Sequence, residues 1–219
     1  MSKYRVKEVF YTLQGEGTHA GRVSIFCRFS GCNLWSGKEK DREKALCKFC
    51  DTDFVGVDGQ NGGEFETPAD LVTHLLSFWE NKEVSPFIVF TGGEPLLQLD
   101  SDLVKELKDN GVIISVETNG TILPPEGIDH LCVSPKGVSK FKVFKGHEIK
   151  LVYPQPELDP KDFEHMEFDK FYLQPMDHNF NPTWCANTQD ENVKKTVDYC
   201  LNNPKWTLSL QTHKLLGID

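Results

Sequence analysis

The sequence lacks the long apolar runs that cross membranes. Its longest apolar stretches, such as Pro86–Phe90 and Val112–Val116, have the length of one strand, whereas a membrane-spanning helix needs about 20 apolar residues. The first residues also lack the apolar core of a signal peptide. We therefore expect a cytoplasmic protein without a membrane segment.

An excess of positive charge is missing as well. The sequence has 24 Lys and Arg residues against 33 Asp and Glu residues, a formal net charge of -9 at pH 7. Nonspecific nucleic-acid binding depends on neutralising phosphates with Lys and Arg. This balance argues against a nucleic-acid partner and favours a small-molecule ligand.

Internal repeats and low-complexity stretches are also absent. The hydrophobic content of 38% and the charged content of 26% are typical of a globular protein. A chain of 219 residues suits one domain with a full core better than two small ones. We predict a single domain over residues 1–219, with a polar, cluster-binding loop at about residues 32–63.

The cysteines do not form the even set that a disulfide framework needs. There are seven in a sequence without a secretion signal, which favours metal binding or catalysis for any clustered subset. Cys27 and Cys132 lie in apolar strand-like runs, where cysteine usually acts as a small buried hydrophobe. The clustered subset is Cys32, Cys47 and Cys50.

Apolar strand-like runs alternate with helical patterns over much of the chain. The predicted strands are Tyr4–Leu13, Val23–Phe29, Phe87–Thr91, Val112–Glu117, Leu131–Ser134, His147–Tyr153, Lys170–Gln174 and Trp206–Gln211. The predicted helices are Pro68–Trp79 (with Thr67 as its cap), Ser101–Asn110 (closed by Gly111) and Asp190–Asn202. Such alternation indicates an α/β fold with a parallel sheet covered by helices, and the number of strands suggests a partial (β/α) barrel.

Polar clusters follow four of these strands. They are Thr91–Glu94, Glu117–Gly120, Ser134–Lys136 and Gln174–Asp177. Each cluster alone is compatible with ordinary turn chemistry. Ligands of parallel α/β sheets bind at the carboxyl ends of the strands, so the four together predict one pocket.

Cys47 and Cys50 form a CxxC pair, and fourteen residues separate Cys32 from Cys47. Three thiolates can hold three irons of a cubane cluster and leave the fourth open. The alternatives are a zinc site completed by His19 or His74, and a thioredoxin-like redox pair. Neither alternative explains the glycine-rich turn at Thr91–Glu94.

Together, the cysteines and the glycine-rich turn resemble the signature of the radical S-adenosylmethionine (SAM) superfamily. The resemblance rests on the three cysteines, on the aromatic Phe49 before the last one, and on Thr91-Gly92-Gly93-Glu94-Pro95. The usual signature places the first two cysteines much closer together. In the superfamily the Gly-Gly-Glu turn contacts the amino group of SAM, and a carboxylate suits that ammonium.

A closer resemblance, almost end to end, is to the 7-carboxy-7-deazaguanine synthase (QueE) family. Some of its members share the long cysteine spacing. The segments that carry the resemblance are Phe10–Gly17 (FYTLQGEG), Phe26–Leu34 (FCRFSGCNL), Cys50-Asp51-Thr52 and Leu208–Lys214 (LSLQTHK).

This resemblance implies a lyase of queuosine and 7-deazapurine biosynthesis that turns 6-carboxy-5,6,7,8-tetrahydropterin into 7-carboxy-7-deazaguanine and ammonia. The family's cofactors are a 4Fe-4S cluster, SAM and Mg²⁺. In its mechanism a 5′-deoxyadenosyl radical takes hydrogen from C6 of the pterin, the ring contracts, and SAM is regenerated. An electron-donating reductase or flavodoxin and a homodimer are the implied partners.

The resemblance also implies roles for individual residues, which are predictions here. The catalytic and metal-binding set is Cys32, Cys47 and Cys50 for the cluster and Thr52 for Mg²⁺. The SAM set is Phe49, Cys50, Asp51, Gly93, Glu94, Glu117, Asn119, Ser134, Pro135, Lys136, Gln174, Pro175, Met176 and Asp177. The substrate set is Leu13, Gln14, Gly15, Glu16, Arg28, Thr91, His213 and the terminal residue Asp219.

Some of these residues also have simpler interpretations. Arg28 can fork onto a carboxylate or make a surface ion pair at a strand end. Thr52 can offer an oxygen to Mg²⁺ or cap a loop. His213 can contact the substrate or cap the last strand.

Two other functions stay open on the sequence alone. The first is a radical SAM activase that installs a glycyl radical in a partner protein, although such a protein is not expected to carry LQGEG or QTHK. The second is a zinc-stabilised binding module that uses the same cysteines.

Overall fold

The computed structural model describes residues 4–137, 139–155, 157–177 and 191–218. The strands are β1 (Tyr4–Leu13), β2 (Val23–Phe29), β3 (Gly63–Phe65), β4 (Phe87–Gly92), β5 (Ile113–Thr118), β6 (His130–Val133), β7 (Lys145–Tyr153), β8 (Glu167–Pro175) and β9 (Thr207–Leu208). The α-helices are α1 (Pro68–Leu76), α2 (Ser101–Asp109), α3 (Glu191–Asn202) and α4 (Thr212–Leu216). Short 3₁₀ helices cover Gly17–His19, Glu39–Lys44, Pro95–Leu97 and Pro160–Phe163.

These strands form one open sheet in the order β3-β1-β2-β4-β5-β6-β7-β8-β9. From β2 to β9, each strand is parallel to its neighbour. The sheet is not closed, because β3 and β9 stand at opposite ends of the order. The predicted α/β class, with a parallel sheet in a partial barrel, is confirmed.

The first part of the sheet differs from the prediction. β1 runs antiparallel to both β2 and β3, and β3 lies at the end of the segment predicted as a polar loop. Its pairing joins Tyr4–Val6 to Gly63–Phe65. These segments are distant in the sequence, so no local pattern predicts their pairing.

Local side-chain chemistry sets the start of α1. The Thr67 hydroxyl accepts a hydrogen bond from the Asp70 N–H (3.1 Å), and the Asp70 carboxylate accepts one from the Thr67 N–H (3.1 Å). This reciprocal capping box satisfies two backbone donors, and Pro68 at the first position needs no acceptor. The helix starts where predicted but ends at Leu76, before the predicted Trp79.

The later elements agree with the predictions apart from their ends. Asp100 caps α2 by accepting a hydrogen bond from the Leu103 N–H (3.0 Å), and Gly111 follows the helix with a φ of 72°. The predicted first residue of α3, Asp190, lies outside the described residues. The last strand is shorter than the predicted Trp206–Gln211.

The strands alternate between a core side and a cavity side. In β5, Ile114 and Val116 are fully buried in the hydrophobic core, whereas Glu117 lines a cavity. In β7, Ile149 and Leu151 belong to the core, and Lys150 between them lines the same cavity. The two-residue period of a strand thus places polar side chains on one face.

No helix in the described ranges combines the length and the apolar content that crossing a bilayer would require.

Candidate active site

A cavity of about 500 Å³ lies at the carboxyl ends of the parallel strands. The polar segments that follow β4, β5, β6 and β8 all contribute to its wall. The predicted site residues that line it are Leu13, Gln14, Gly15, Glu16, Arg28, Cys32, Cys47, Phe49, Cys50, Asp51, Thr52, Thr91, Gly93, Glu117, Asn119, Ser134, Lys136, Gln174, Pro175, Met176, Asp177 and His213. Glu94 and Pro135 are not part of the lining, and Asp219 lies outside the described residues.

Three cysteine thiols face this cavity. Cys32 follows β2 and accepts a hydrogen bond from the Leu34 N–H (3.4 Å). Cys47 and Cys50 lie in a loop without helix or strand. The hydrogen bond between these two thiols raises the pKa of Cys47 and lowers the pKa of Cys50 to about 6. A hydrogen bond to the charged form of a thiol stabilises the thiolate that binds iron.

This donor set fits a 4Fe-4S cluster with one open iron. Cys32, Cys47 and Cys50 all contribute to one cavity wall. The other described cysteines do not line the cavity; they are Cys27, Cys132 and Cys200. Three thiolates would hold three irons and leave the fourth for a ligand.

The histidines proposed for a zinc site lie elsewhere. His19 packs edge-on against Phe87, with ring centroids 4.9 Å apart, and the His74 ring lies 2.8 Å from the Asn61 carbonyl. Neither lines the cavity. Over the described ranges, no group of three or more His, Cys, Asp and Glu side chains surrounds a site for a single metal ion; a cluster does not need such a group, because each thiolate binds a different iron. The structure therefore does not support His19 or His74 as the fourth ligand of a zinc site.

The glycine turn after β4 is required by close packing. A β-carbon at Gly92, whose φ is 146°, would lie 2.4 Å from the Phe29 carbonyl oxygen. At Gly93 it would lie 2.2 Å from the Gly31 carbonyl oxygen and 2.6 Å from the Cys32 β-carbon. Only glycine allows this approach, so the turn presses directly against the first cysteine of the triad.

Glu94 stands behind the wall. Its side chain is fully buried and accepts hydrogen bonds from the Thr118 hydroxyl (2.7 Å), the Asn119 N–H (2.8 Å) and the Leu96 N–H (3.0 Å). Burial raises the pKa of this carboxyl group. The carboxylate therefore supports Asn119, which lines the cavity, and the structure does not bring it to the wall beside the other residues predicted to bind SAM.

The remaining wall offers polar groups that fit SAM. Gln174 Oε1 is buried and has no hydrogen-bond partner in the described part of the chain. A buried acceptor normally has a donor, so a ligand that donates here would satisfy it. Across the wall, Lys136 Nζ donates to the Ser134 hydroxyl (2.7 Å) and lies 5.5 Å from the centre of the Phe49 ring. The Gln174 acceptor, the Lys136 ammonium group and the Phe49 ring together suit SAM, which has both charged and aromatic groups.

Thr52 lies on the wall between two ion pairs. Lys214 Nζ is 3.2 Å from an Asp51 oxygen, and Lys7 Nζ is 2.9 Å from an Asp53 oxygen. In the described part of the chain no helix begins directly after Thr52, so Thr52 does not cap a helix. A hydroxyl beside carboxylates is the oxygen chemistry that suits Mg²⁺.

Arg28 enters the cavity from β2. Its Nε donates to Glu8 Oε1 (2.7 Å), and both side chains line the cavity. No group in the described part of the chain accepts from the two Nη nitrogens. The ion-pair alternative and the ligand-binding prediction are thus compatible, because Glu8 pairs with Nε and leaves the two Nη nitrogens for a ligand.

The two terminal signatures meet at the cavity. The Thr212 N–H and hydroxyl both donate to the Gly15 carbonyl (3.0 and 2.8 Å), and Gln211 Nε2 donates to Glu16 Oε1 (3.0 Å). The His213 ring lies over Gly15. His213 thus lies at the start of α4 and on the cavity wall, and burial lowers its pKa.

Lys150 is a cavity residue that the sequence analysis did not identify. It is 4% exposed, contacts a Glu16 oxygen through Nζ, and lies 3.7 Å from Glu117 Oε1. Gln14 Nε2 donates to the same Glu117 oxygen (3.0 Å). A usable signal was present, because a lysine between Ile149 and Leu151 points to the opposite face from these two core residues, and an unpaired buried charge there would be costly.

Lys214 and Glu8 were also not assigned to the site. Lys214 Nζ lies 3.2 Å from Asp51 and 2.9 Å from Asp177, and so connects α4 to the loop that carries Cys47 and Cys50 and to the segment after β8. In the sequence, Lys214 stands out only as part of the QTHK signature. Its ion pairs form because the fold brings α4, Asp51 and Asp177 together.

Comparisons with known proteins agree with this geometry. The model of the Radical SAM superfamily matches residues 43–140. The 7-carboxy-7-deazaguanine synthases of Bradyrhizobium diazoefficiens and Bordetella pertussis are each 53% identical over 215 residues, with 98% of this chain and 99% of the relative covered. The synthase of Nitratidesulfovibrio vulgaris is 49% identical over 218 residues, with the same coverage.

A solved structure shares the fold. The crystal structure of QueE from Escherichia coli matches with a TM-score of 0.65 at 22% identity, covering 95% of this chain and 93% of that one. The identities to the curated relatives extend over almost the whole chain. The chain therefore belongs to the 7-carboxy-7-deazaguanine synthase family of radical SAM enzymes.

Proposed function

We propose that this enzyme converts 6-carboxy-5,6,7,8-tetrahydropterin into 7-carboxy-7-deazaguanine and ammonia, a step of queuosine and 7-deazapurine biosynthesis. One observation carries the proposal. The three thiols of Cys32, Cys47 and Cys50 share one cavity with Arg28 and Glu16, which suit opposite ends of an anionic pterin. Family membership favours this function over a glycyl-radical activase and over a zinc-stabilised module.

The cysteines and the polar wall hold the cofactors in this proposal. Cys32, Cys47 and Cys50 would bind the cluster, and Gln174, Asn119 and the other wall residues predicted for SAM, apart from Glu117, would bind SAM in the same cavity. When bound, the cluster and SAM supply the one-electron chemistry that starts hydrogen-atom removal. Glu94 acts from behind the wall by holding the Asn119 backbone in place (2.8 Å), and a contact of Pro135 with SAM stays a prediction.

The charges of the cavity orient the substrate. The guanidinium of Arg28 has two Nη nitrogens available for a carboxylate, a bidentate contact with strong directionality. Glu117, predicted from the sequence to bind SAM, is assigned to the substrate in this proposal, because Lys150 Nζ lies between it and Glu16. The carboxylates of Glu16 and Glu117 would accept hydrogen bonds from the N–H groups that a 2-amino-4-oxopyrimidine ring offers on one edge. The backbone of Leu13–Gly15, Thr91 and His213 completes the contacts with the ring.

Thr52 provides an oxygen ligand for Mg²⁺ in this proposal. The ion prefers oxygen ligands and retains several waters or substrate oxygens. Lys7 and Lys214 hold the carboxylates on either side of Thr52 (2.9 and 3.2 Å), which fixes the loop while leaving the hydroxyl at the wall. A contact from the Asp219 carboxylate stays a prediction.

Anaerobic turnover tests the proposal directly. The reconstituted enzyme is incubated with the carboxy-tetrahydropterin, SAM, Mg²⁺ and a chemical reductant, and the products are read by mass spectrometry. We expect 7-carboxy-7-deazaguanine, many turnovers per SAM, and passage of deuterium from C6 through the deoxyadenosyl group. An iron–sulfur protein that cleaves SAM but leaves the pterin unchanged would overturn the proposal.

Two partners belong to the same proposal. Electrons come from a reductase or flavodoxin, which is tested by replacing the chemical reductant with a reduced flavodoxin. The assembly is a homodimer, which is tested by light scattering of the reconstituted protein. A cytoplasmic location stays a prediction from the sequence.

A further inference from the structure

A buried lysine sits beneath the substrate side of the cavity. Lys150 Nζ contacts a Glu16 carboxylate oxygen and lies 3.7 Å from Glu117 Oε1. These carboxylates come from different elements, since Glu16 follows β1 and Glu117 lies in β5. One ammonium group therefore joins two cavity walls that have no covalent connection nearby.

A third carboxylate, Glu148, lies below Lys150 on the same face of β7 and interacts with it electrostatically, but its closer contacts are with other residues. Its Oε2 accepts a hydrogen bond from the Thr18 N–H (2.8 Å) and lies 3.6 Å from His130 Nε2. Lys150 is thus the ammonium shared by the two carboxylates that line the cavity, Glu16 and Glu117.

The remaining contacts leave both carboxylates with defined orientations. Gln211 donates to Glu16 Oε1 (3.0 Å) and Gln14 donates to Glu117 Oε1 (3.0 Å). An isolated carboxylate at the depth of Glu16 would be strongly destabilised in its charged form. Lys150 offsets that cost for Glu16, and the amide donors set the planes of both carboxylates.

We propose that Lys150 is a positioning residue for substrate specificity: its ammonium group holds the Glu16 and Glu117 carboxylates so that both are aimed at the N–H edge of the ring. Two carboxylate acceptors share one ammonium group, so acceptors predominate on this part of the wall. That wall selects a ligand edge with several N–H donors, as in a 2-amino-4-oxopyrimidine, and rejects an edge that presents carbonyl oxygens. This inference rests on the proposed function and concerns ligand binding, not radical formation.

Equilibrium binding of the carboxy-tetrahydropterin, without reductant, tests this role. We expect Lys150→Met to raise the Kd by about tenfold or more, a change of about 1.4 kcal/mol. The cluster absorption and the Kd of SAM should stay unchanged. Lys150→Arg keeps the charge and should recover part of the affinity. Lys108→Met serves as control, because Lys108 pairs with Asp129 outside the cavity.

A double-mutant cycle separates positioning from a general loss of structure. If Lys150 acts through Glu16, Lys150→Met should cost far less in a Glu16→Gln background than in the wild type. Equal costs in both backgrounds would overturn the inference. Should Lys150→Met fail to fold, the same cycle is measured with Lys150→Arg, and equal costs in the two backgrounds would again overturn the inference.

The outcome also distinguishes the inference from the proposed function. A wild-type enzyme that converts the pterin, with a Lys150→Met variant of unchanged Kd, would leave the function standing and remove Lys150 from it. A wild-type protein that binds but does not convert the pterin would overturn the function, and the cycle would still decide on Lys150. A protein that neither binds nor converts it would overturn both.

Discussion

Gly15 and His213 are in direct contact, although they lie near opposite ends of the chain. A β-carbon at Gly15 would fall 2.1 Å from His213 Nδ1 and 2.9 Å from the His213 β-carbon. The hydrogen bonds from Thr212 to the Gly15 carbonyl fix the same junction. The opening LQGEG segment and the terminal QTHK segment thus form one side of the cavity together.

Gly15→Ala should therefore disturb both stability and substrate binding. Overpacking of this kind costs about 1–3 kcal/mol, because the His213 ring must rotate away from the cavity. Urea unfolding measures the first effect, and equilibrium binding of the pterin measures the second. Gly63→Ala is the control, since the nearest atom to its new β-carbon lies 3.6 Å away; equal behaviour of the two variants would contradict the contact.

Removal of any one of Cys32, Cys47 and Cys50 should abolish the cluster. Two thiolates hold a cubane poorly, so each Cys→Ala variant should lose the iron–sulfur absorption and SAM cleavage after anaerobic reconstitution. Cys200→Ala is the matched control, because Cys200 is a free, partly buried cysteine away from the cavity. Loss of the cluster in that control but not in Cys32→Ala would show the ligand assignment to be wrong.

Thr52→Ala should weaken the response of turnover to Mg²⁺ while the cluster persists. The variant loses one oxygen ligand and leaves the three thiols untouched. A Mg²⁺ titration of initial rates measures the effect, and Thr52→Ser should restore most of the response because it keeps the hydroxyl. Identical titrations for wild type and Thr52→Ala would remove Thr52 from the metal site.

Arg28→Ala should lower turnover by about tenfold or more. It removes charge-assisted hydrogen bonds to the substrate carboxylate, each worth about 1.5–3 kcal/mol. Arg28→Lys should rescue only part, since an ammonium cannot reproduce the planar fork. Glu8→Gln should have a smaller effect, because the charge that binds the substrate remains and only its 2.7 Å anchor weakens.

Readouts for Arg28 must separate substrate binding from radical chemistry. SAM binding and the cluster spectrum should be the same in wild type and in Arg28→Ala. Normal kinetics of Arg28→Ala would place the substrate carboxylate elsewhere.

Local patterns in the sequence were enough for much of the architecture. The capping box at Thr67, the glycine after α2 at Gly111 and the apolar runs around Ile88 and Ile114 depend on neighbours within a few residues. Such signals can be recognised in the sequence without knowledge of tertiary contacts. The spacing of Cys47 and Cys50 belongs to the same category, since a CxxC pair needs no distant contact to be recognised.

Other features depended on pairing between distant segments. The antiparallel direction of β1 and the existence of β3 follow from contacts of Tyr4–Val6 with Gly63–Phe65. The pattern of Gly63–Phe65 alone is too short to indicate a strand. Such pairing is decided by which segments the complete sheet brings together.

For the site, residue types and their spacing were enough to predict which residues carry chemistry: the three cysteines, the Gly-Gly-Glu turn and the two terminal signatures. Only the tertiary structure decided how charges are shared among them. In the folded chain, the Glu94 carboxylate lies behind the cavity wall and Arg28 pairs with Glu8. Lys150 is buried between Glu16 and Glu117. The physical reason is that a charge acts through space, over distances set by the fold and not by position along the chain.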